Sequence, residues 1–454
     1  MCKFGIVADD LTGATTVGVL LARAGISTAA FFDEKSLDVE KRYSAMVISS
    51  DSRSLPTEAA QQKVKSAVKA LKEKGGVYFS KRIDTTLRGG IGFEVDAMLE
   101  ELAPDTIAVV VPSMPQSRRI VVGGYSLIDG EALSRTPVAK DVRTPVKETH
   151  VPTLIAQQTE HTIGVVSLSS LLAGKDVLKQ SLQKERENGA KYIVVDAITI
   201  EDVEVIAEAV TELQWNVLAV DPGPFTEKLA VVKGFATEKE SRSNEDISET
   251  KLNGMVLAVA GSATPVTKMQ MKALSEKEWA CNVPVSAMNL IDVPKTAPAE
   301  IKRAALETLK TIENQEPNVI LLETCLTGSV LNLSDKEEEL GLDPGEAANN
   351  INRGLGEIVA QVLNQEFHHV KGIYMTGGDT MVNVLNILDA KGIELIDYVI
   401  PQADLGRIIG GKYDGLVVVG KGGLTGTEET AISIVKRIFK EASESAQQEA
   451  IRVI

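Results

Sequence analysis

Residues 77–102 read VYFSKRIDTTLRGGIGFEVDAMLEEL. The stretch opens on Val77-Tyr78-Phe79, an apolar run that reads as a buried strand. Lys81, Arg82 and Asp84 follow, then Thr85, Thr86 and Arg88. Past the glycines the period changes: Ile91, Val95, Met98 and Leu102 recur at spacings of four, three and four, one face of a helix. The unit is strand, charged loop, helix. In open α/β sheets ligands bind where such loops leave the carboxyl ends of strands. Three cations, one carboxylate and two hydroxyls within eight residues suit an anionic, hydroxylated ligand. A solvated loop with internal ion pairs would show the same composition.

The rest of the first half repeats this unit. Phe4 to Ala8 reads as a strand running into Asp9-Asp10-Leu11-Thr12-Gly13, with a helix through Val17, Leu20, Leu21 and Ala24. Two adjacent acids at the mouth of a helix exceed what one cap needs, so the second, Asp10 by preference, is free to meet a ligand. Strands are expected over 28–32, 45–49, 106–111, 162–167, 191–195 and 216–220, mostly with helices between. That alternation predicts a largely parallel sheet. Asp10, Arg53, Lys81 and Asp84 all fall just past strand ends, and parallel strands bring those ends to one edge. Asp129-Gly130 suits a hairpin turn, and Arg118 and Arg119 add positive charge to the ligand edge.

The chain has 454 residues, more than one core usually serves. Residues 237–250, TEKESRSNEDISET, are polar and nearly free of apolar side chains, so the division is placed there. The expected domains are 1–236 and 254–454 joined by a linker at 237–253, each with a mostly parallel sheet flanked by helices. In the second half three strand-to-helix turns are rich in small residues: 261–265, 376–380 and 420–426. Glycine lets backbone N–H groups approach a phosphate, and a helix N-terminus favours negative charge. Three such turns, one with Lys421, point to a nucleotide. Asp379 either orients Mg²⁺-bound water or caps its helix. The segment GRIIGGKY at 406–413 imitates a P-loop, but Tyr413 stands where Mg²⁺ needs a hydroxyl and a strand follows, so it is set aside.

Lys plus Arg number 48 and Asp plus Glu 63, a net charge of −15, which argues against a nucleic-acid binder. Cys2, Cys281 and Cys325 lie far apart and the four histidines fit no zinc pattern. No protein side chain is expected to ligate a metal directly. The acidic start and the lack of a long apolar run predict a cytoplasmic protein without a membrane span. The apolar stripe Ala348, Ile351, Leu355, Ile358 and Val362 serves either the core or a homodimer.

Together, Asp9-Asp10-Leu11-Thr12-Gly13, Lys81-Arg82-Ile83-Asp84-Thr85-Thr86-Leu87-Arg88-Gly89, Asp221-Pro222-Gly223-Pro224-Phe225, Gly261-Ser262 and Thr376-Gly377-Gly378-Asp379-Thr380 resemble the four-carbon acid sugar kinases, in this order and over nearly the whole chain. The resemblance implies an N-terminal domain for a small anionic sugar acid (a tetronate, a 3-oxo-tetronate or a branched oxo-acid) and a C-terminal domain for ATP. It places substrate on Asp10, Arg53 and 81–84, and nucleotide on Ser262, Gly378 and 421–424. With the residue reading, the expected catalytic acids are Asp10 and Asp84. The substrate set is Asp9, Asp10, Arg53, Lys81, Arg82, Asp84 and Arg88. The nucleotide set is Ser262, Gly377, Gly378, Asp379, Lys421, Gly422, Gly423 and Leu424, with Mg²⁺ as companion. Here Lys81 is followed by Arg82 where the family more often has two lysines, and 422–426 reads Gly-Gly-Leu-Thr-Gly rather than a Gly-Phe-Gly type ending. A non-catalytic two-domain sensor is the competing reading. An NAD-dependent dehydrogenase is disfavoured by the missing dinucleotide fingerprint.

Overall fold

Short runs rich in Val, Ile, Ala and Leu, buried along their length, make central strands of both halves. The computed structural model describes residues 2–141, 143–236, 252–326 and 331–453, with side chains to 444. The chain divides into two units, Met1–Ser241 and Arg242–Ile454. Of the expected linker at 237–253, all but Leu252 and Asn253 lies outside the described residues.

The first unit carries β1 (Phe4–Ala8), β2 (Thr28–Phe31), β3 (Ala45–Ser49), β4 (Tyr78–Arg82), β5 (Ile107–Val110), β6 (Arg119–Val122), β7 (Tyr125–Ile128), β8 (Glu131–Ala132), β9 (Ile163–Val166), β10 (Tyr192–Val195) and β11 (Val217–Asp221). Its main sheet runs β2-β3-β1-β4-β11-β5-β10-β9, parallel at every pairing. From β1 the chain winds to one side through β2 and β3, and from β4 to the other. The gap between β1 and β4 is therefore a topological switch point, where an open α/β sheet leaves a crevice. Ala8 pairs with Ser49 and Arg82, and Arg82 with Asp221, so these strand ends share one row. Strands β6, β7 and β8 form a separate antiparallel sheet whose second turn is Asp129-Gly130, both at positive φ. Leu178, Leu182, Ile193, Val195, Ile206 and Phe225 meet in one buried cluster. Each such side chain contributes about 1.5–3 kcal/mol.

The second unit carries β12 (Met255–Ala260), β13 (Ala280–Pro284), β14 (Val319–Glu323), β15 (Val370–Thr376), β16 (Gly392–Ile400), β17 (Ala403–Ile409) and β18 (Val417–Lys421). The order is β13-β14-β12-β15-β18-β17-β16, parallel up to β18 and antiparallel beyond it. Again the winding reverses, between β12 and β15. Thr376 pairs with both Ala260 and Lys421, so three strand ends line up. Ile351, Leu355, Ile358 and Val362 of the helix Glu346–Glu366 are buried within this unit, so the stripe serves its core.

Two expectations need correction. β4 reaches to Arg82, so Lys81 and Arg82 are strand residues rather than loop residues. β13 and the hairpin of β16 and β17 were not foreseen. The false P-loop is the end of β17 and the turn after it, with the Tyr413 hydroxyl bonded to Asn364 Oδ1 at 2.9 Å.

Candidate active site

At the switch point of the first unit, Asp9 and Asp10 leave β1 as the helix Leu11–Arg23 begins. Asp10, expected to be the acid left free by the cap, is itself the N-cap of that helix, its Oδ1 accepting from the Gly13 amide at 2.7 Å. Arg53 grips Asp9 in a fork, Nε to Oδ2 at 2.7 Å and Nη2 to Oδ1 at 3.0 Å. Its Nη1 lies 2.7 Å from Asp10 Oδ2, and its Nη2 lies 3.9 Å from Asp84 Oδ1. Arg82 Nη1 is 3.3 Å from Asp10 and 3.6 Å from Asp9. A Cβ on Gly13 would stand 1.9 Å from that guanidinium, so only glycine lets Arg82 lie against the helix entrance. Asp84 accepts from Arg88 Nε at 2.7 Å and from the Thr86 hydroxyl, and Arg88 reaches Asp141 at 3.3 Å.

The two adjacent acids differ in environment. The Asp9 side chain is 4% exposed and the Asp10 side chain 28%. Burial pushes Asp9 up, but Arg53, Lys81 and Arg82 outweigh it and hold the carboxyl below its usual range. For Asp10 burial, with Asp9 and Asp84 as like charges, outweighs Arg53 and Arg82, so its carboxyl sits above the usual range. Asp84 is buried too, yet Arg53 and Arg88 hold it well below. A carboxylate raised towards neutrality and part-open is the better proton acceptor, which singles out Asp10.

Lys81 does not face the crevice. It is 1% exposed, with its ammonium 3.0 Å from Glu94 Oε2. Glu94, on the helix Ile91–Glu101, also accepts from the Ser52 hydroxyl at 2.9 Å. This buried pair under Asp9 was missed by the sequence reading. Its signal was Glu94 falling three residues after Ile91, on the apolar face, where a carboxylate requires a buried partner. Asp221 of the Asp-Pro-Gly-Pro-Phe motif spends its carboxylate on its own turn, accepting from the Gly223, Phe225 and Thr226 amides.

In the second unit the three small-residue turns come together. The Gly377 amide donates to the Lys421 carbonyl at 2.8 Å, and the Thr264 hydroxyl to the Gly423 carbonyl at 2.6 Å. A Cβ on Gly423 would lie 2.6 Å from Ser262 Oγ, and Gly377 has φ +108, a backbone that favours glycine. Lys421 is buried, its ammonium donating to the carbonyls of Gly422 at 2.6 Å and Thr425 at 3.1 Å and to no described carboxylate. Burial lowers it to about 8. Gly378 and Asp379 begin the helix Gly378–Ile387, and the Asp379 carboxylate is exposed, making no hydrogen bond among the described residues. Leu424 is 76% exposed at the tip of the last turn. Beside Gly261 and Ala263 opens a cavity of about 820 Å³, walled by Pro284, Val285, Met288 and Ile351 with Ser286 and Asn289.

A hydroxyl-accepting charged crevice on one unit and phosphate-type turns on the other describe a two-domain small-molecule kinase. Comparison with known proteins supplies the family. Residues 4–229 match the family described as sugar-binding N-terminal domain, and residues 257–431 the one described as nucleotide-binding C-terminal domain. The chain is 37% identical to a D-erythronate kinase of Heliobacterium modesticaldum over 446 residues, covering 98% of each. It is 29% identical to a D-threonate kinase of Bordetella bronchiseptica, covering 96% of this chain and 97% of that one. The crystal structure of Haemophilus influenzae protein HI1011 superposes with a TM-score of 0.73 at 22% identity, covering 95% of this chain and 98% of that one, a likeness of fold. The chain belongs to the four-carbon acid sugar kinase family. Among the described residues no helix is long and apolar enough to cross a membrane.

Proposed function

We propose that this protein transfers the γ-phosphoryl group of ATP to a hydroxyl of a four-carbon sugar acid, with D-erythronate the first substrate to test. The observation that carries the reading is Lys421, a buried cation without a carboxylate partner among the described residues, where three small-residue turns meet in one unit while the other unit holds the Asp10 crevice. Asp10 receives the proton of the attacking hydroxyl. Arg53 and Arg82 fix its carboxylate, and Asp9 and Asp84 balance their charge. The amides of 261–263, 377–379 and 422–424 cradle the phosphates and Lys421 offsets their charge. The base and ribose enter the 820 Å³ cavity, which begins at Gly261. Asp379 is the unspent carboxylate beside these turns and fits a Mg²⁺ carried in on the phosphates. When bound, that ion neutralises charge on the β- and γ-oxygens.

ADP release from Mg²⁺-ATP is the test, across D- and L-erythronate, D- and L-threonate, their 3-oxo forms and branched oxo-acids. Turnover with one of these establishes the kinase. ATP binding without turnover on any acid would favour the sensor instead. The nucleoside placement has its own check. Met288→Trp, filling the cavity, is expected to weaken ATP about tenfold or more while leaving inorganic triphosphate binding unchanged. Equal ATP affinity in the variant would move the base elsewhere.

A further inference from the structure

The cations of the crevice are already committed. Arg53 serves Asp9, Asp10 and Asp84; Arg82 serves Asp9 and Asp10; Arg88 serves Asp84 and Asp141; Lys81 serves Glu94. An anionic substrate entering this set meets four cations whose charge is offset by five carboxylates. Carboxylate binding therefore needs a cation from outside the set. Arg119 is that cation. It opens β6, where its backbone bridges Met114 in the segment that follows the carboxyl end of β5, and it lies near enough to Asp84 to feel that charge. Its Nη1 donates to the Ser117 carbonyl at 2.6 Å, and it makes no ion pair among the described residues. Its Nε is buried and has no hydrogen-bond partner among the described residues, as is true of Arg82 Nε, but Arg82 has ion-pair partners in Asp9 and Asp10 and Arg119 has none among the described residues. A buried guanidinium N–H left unmade is costly, and an incoming carboxylate would satisfy it. Burial lowers Arg119 and outweighs the pull of Asp84 and Asp129, whereas Asp9, Asp10 and Asp84 outweigh burial at Arg53 and raise it. Neighbouring Arg118 differs: it is 82% exposed and turned to Asp129 at 3.4 Å.

We propose that Arg119 receives the carboxylate of the acid substrate through its guanidinium fork, selecting sugar acids over neutral sugars of the same length. This deepens the sugar-acid reading and rests on it. A fork binds a carboxylate in two places at once, which an ammonium does not. The competing cation is Lys147, exposed on the wall of a cavity of about 490 Å³ that also includes Arg53 and Gly89.

Calorimetric titration of the full chain with D-erythronate, and with erythritol as its neutral analogue, tests the assignment. Arg119→Ala is expected to weaken D-erythronate by about ten- to a hundredfold and leave erythritol unchanged. Arg119→Lys, which keeps the charge and guards against a folding defect, should recover part of the loss. Lys147→Ala should stay within about twofold of the wild type. Wild-type affinity in Arg119→Ala, or a loss that moves to Lys147→Ala, would overturn the proposal. An Arg119-dependent affinity in a protein that never releases ADP would sink the kinase reading and leave Arg119 standing.

Discussion

Asp10→Asn is expected to slow turnover by about 10²–10⁴-fold while ATP affinity stays near wild type. Asparagine caps a helix as well as aspartate does, so the Gly13 hydrogen bond and the helix entrance survive. What is lost is the lone pair that takes the hydroxyl proton. The same assignment fixes a pH dependence. Burial and the neighbouring Asp9 and Asp84 hold the Asp10 carboxyl above its usual range. A base works only when ionised, so kcat/KM should fall as pH drops through that raised value, above the ~3.9 of an ordinary aspartate. Asp84→Asn is the informative contrast. Asp84 is held low by Arg53 and Arg88, making it a weak base, and its loss frees those arginines rather than removing an acceptor. Abolished turnover in Asp84→Asn together with near-normal turnover in Asp10→Asn would reverse the two roles.

The parts of the site readable in the sequence are those that follow from strand ends. Asp9, Asp10, Arg53 and Asp84 each come within a few residues of a short apolar run, and a parallel sheet brings such positions to one edge. The same logic gathers 261–264, 377–379 and 422–424. What it could not give is which way a charge turns. Lys81 and Arg82 are neighbours in a strand, where successive side chains take opposite faces. One ammonium goes down to Glu94 and one guanidinium goes across to Asp10. Spacing alone counts them as two equal cations in a loop. The unforeseen strands have a similar cause. β13 is short and half-exposed, without a clean alternation, and the turn joining β16 to β17 is Pro401-Gln402, with none of the Gly or Asn that marks a tight hairpin.

The glycine turns of the second unit give direction to the phosphates, but Lys421 supplies their charge, and its loss is the second large effect expected. Lys421→Met keeps the buried aliphatic stem and deletes the ammonium. It should cost about 10²–10³-fold in kcat/KM for ATP, the usual loss when a charge-stabilising donor is removed. Wild-type affinity should also depend on pH. Burial brings Lys421 from its ordinary 10.5 down to about 8, so without nucleotide it sheds its proton just above neutrality. Phosphates favour the charged form, so ATP affinity should fall between about pH 7 and about pH 9. Stability of the nucleotide-free protein should carry the opposite slope from this group. Above about pH 8 the unfolded chain still binds a proton that the folded one has lost, so the contribution rises with pH until the unfolded lysine titrates. Both slopes have one origin, and Lys421→Met should remove both. Titration of ATP at the two pH values, with thermal melts of the free protein alongside, measures them together. A wild-type ATP affinity unchanged between those pH values would show that the Lys421 ammonium does not face the phosphates.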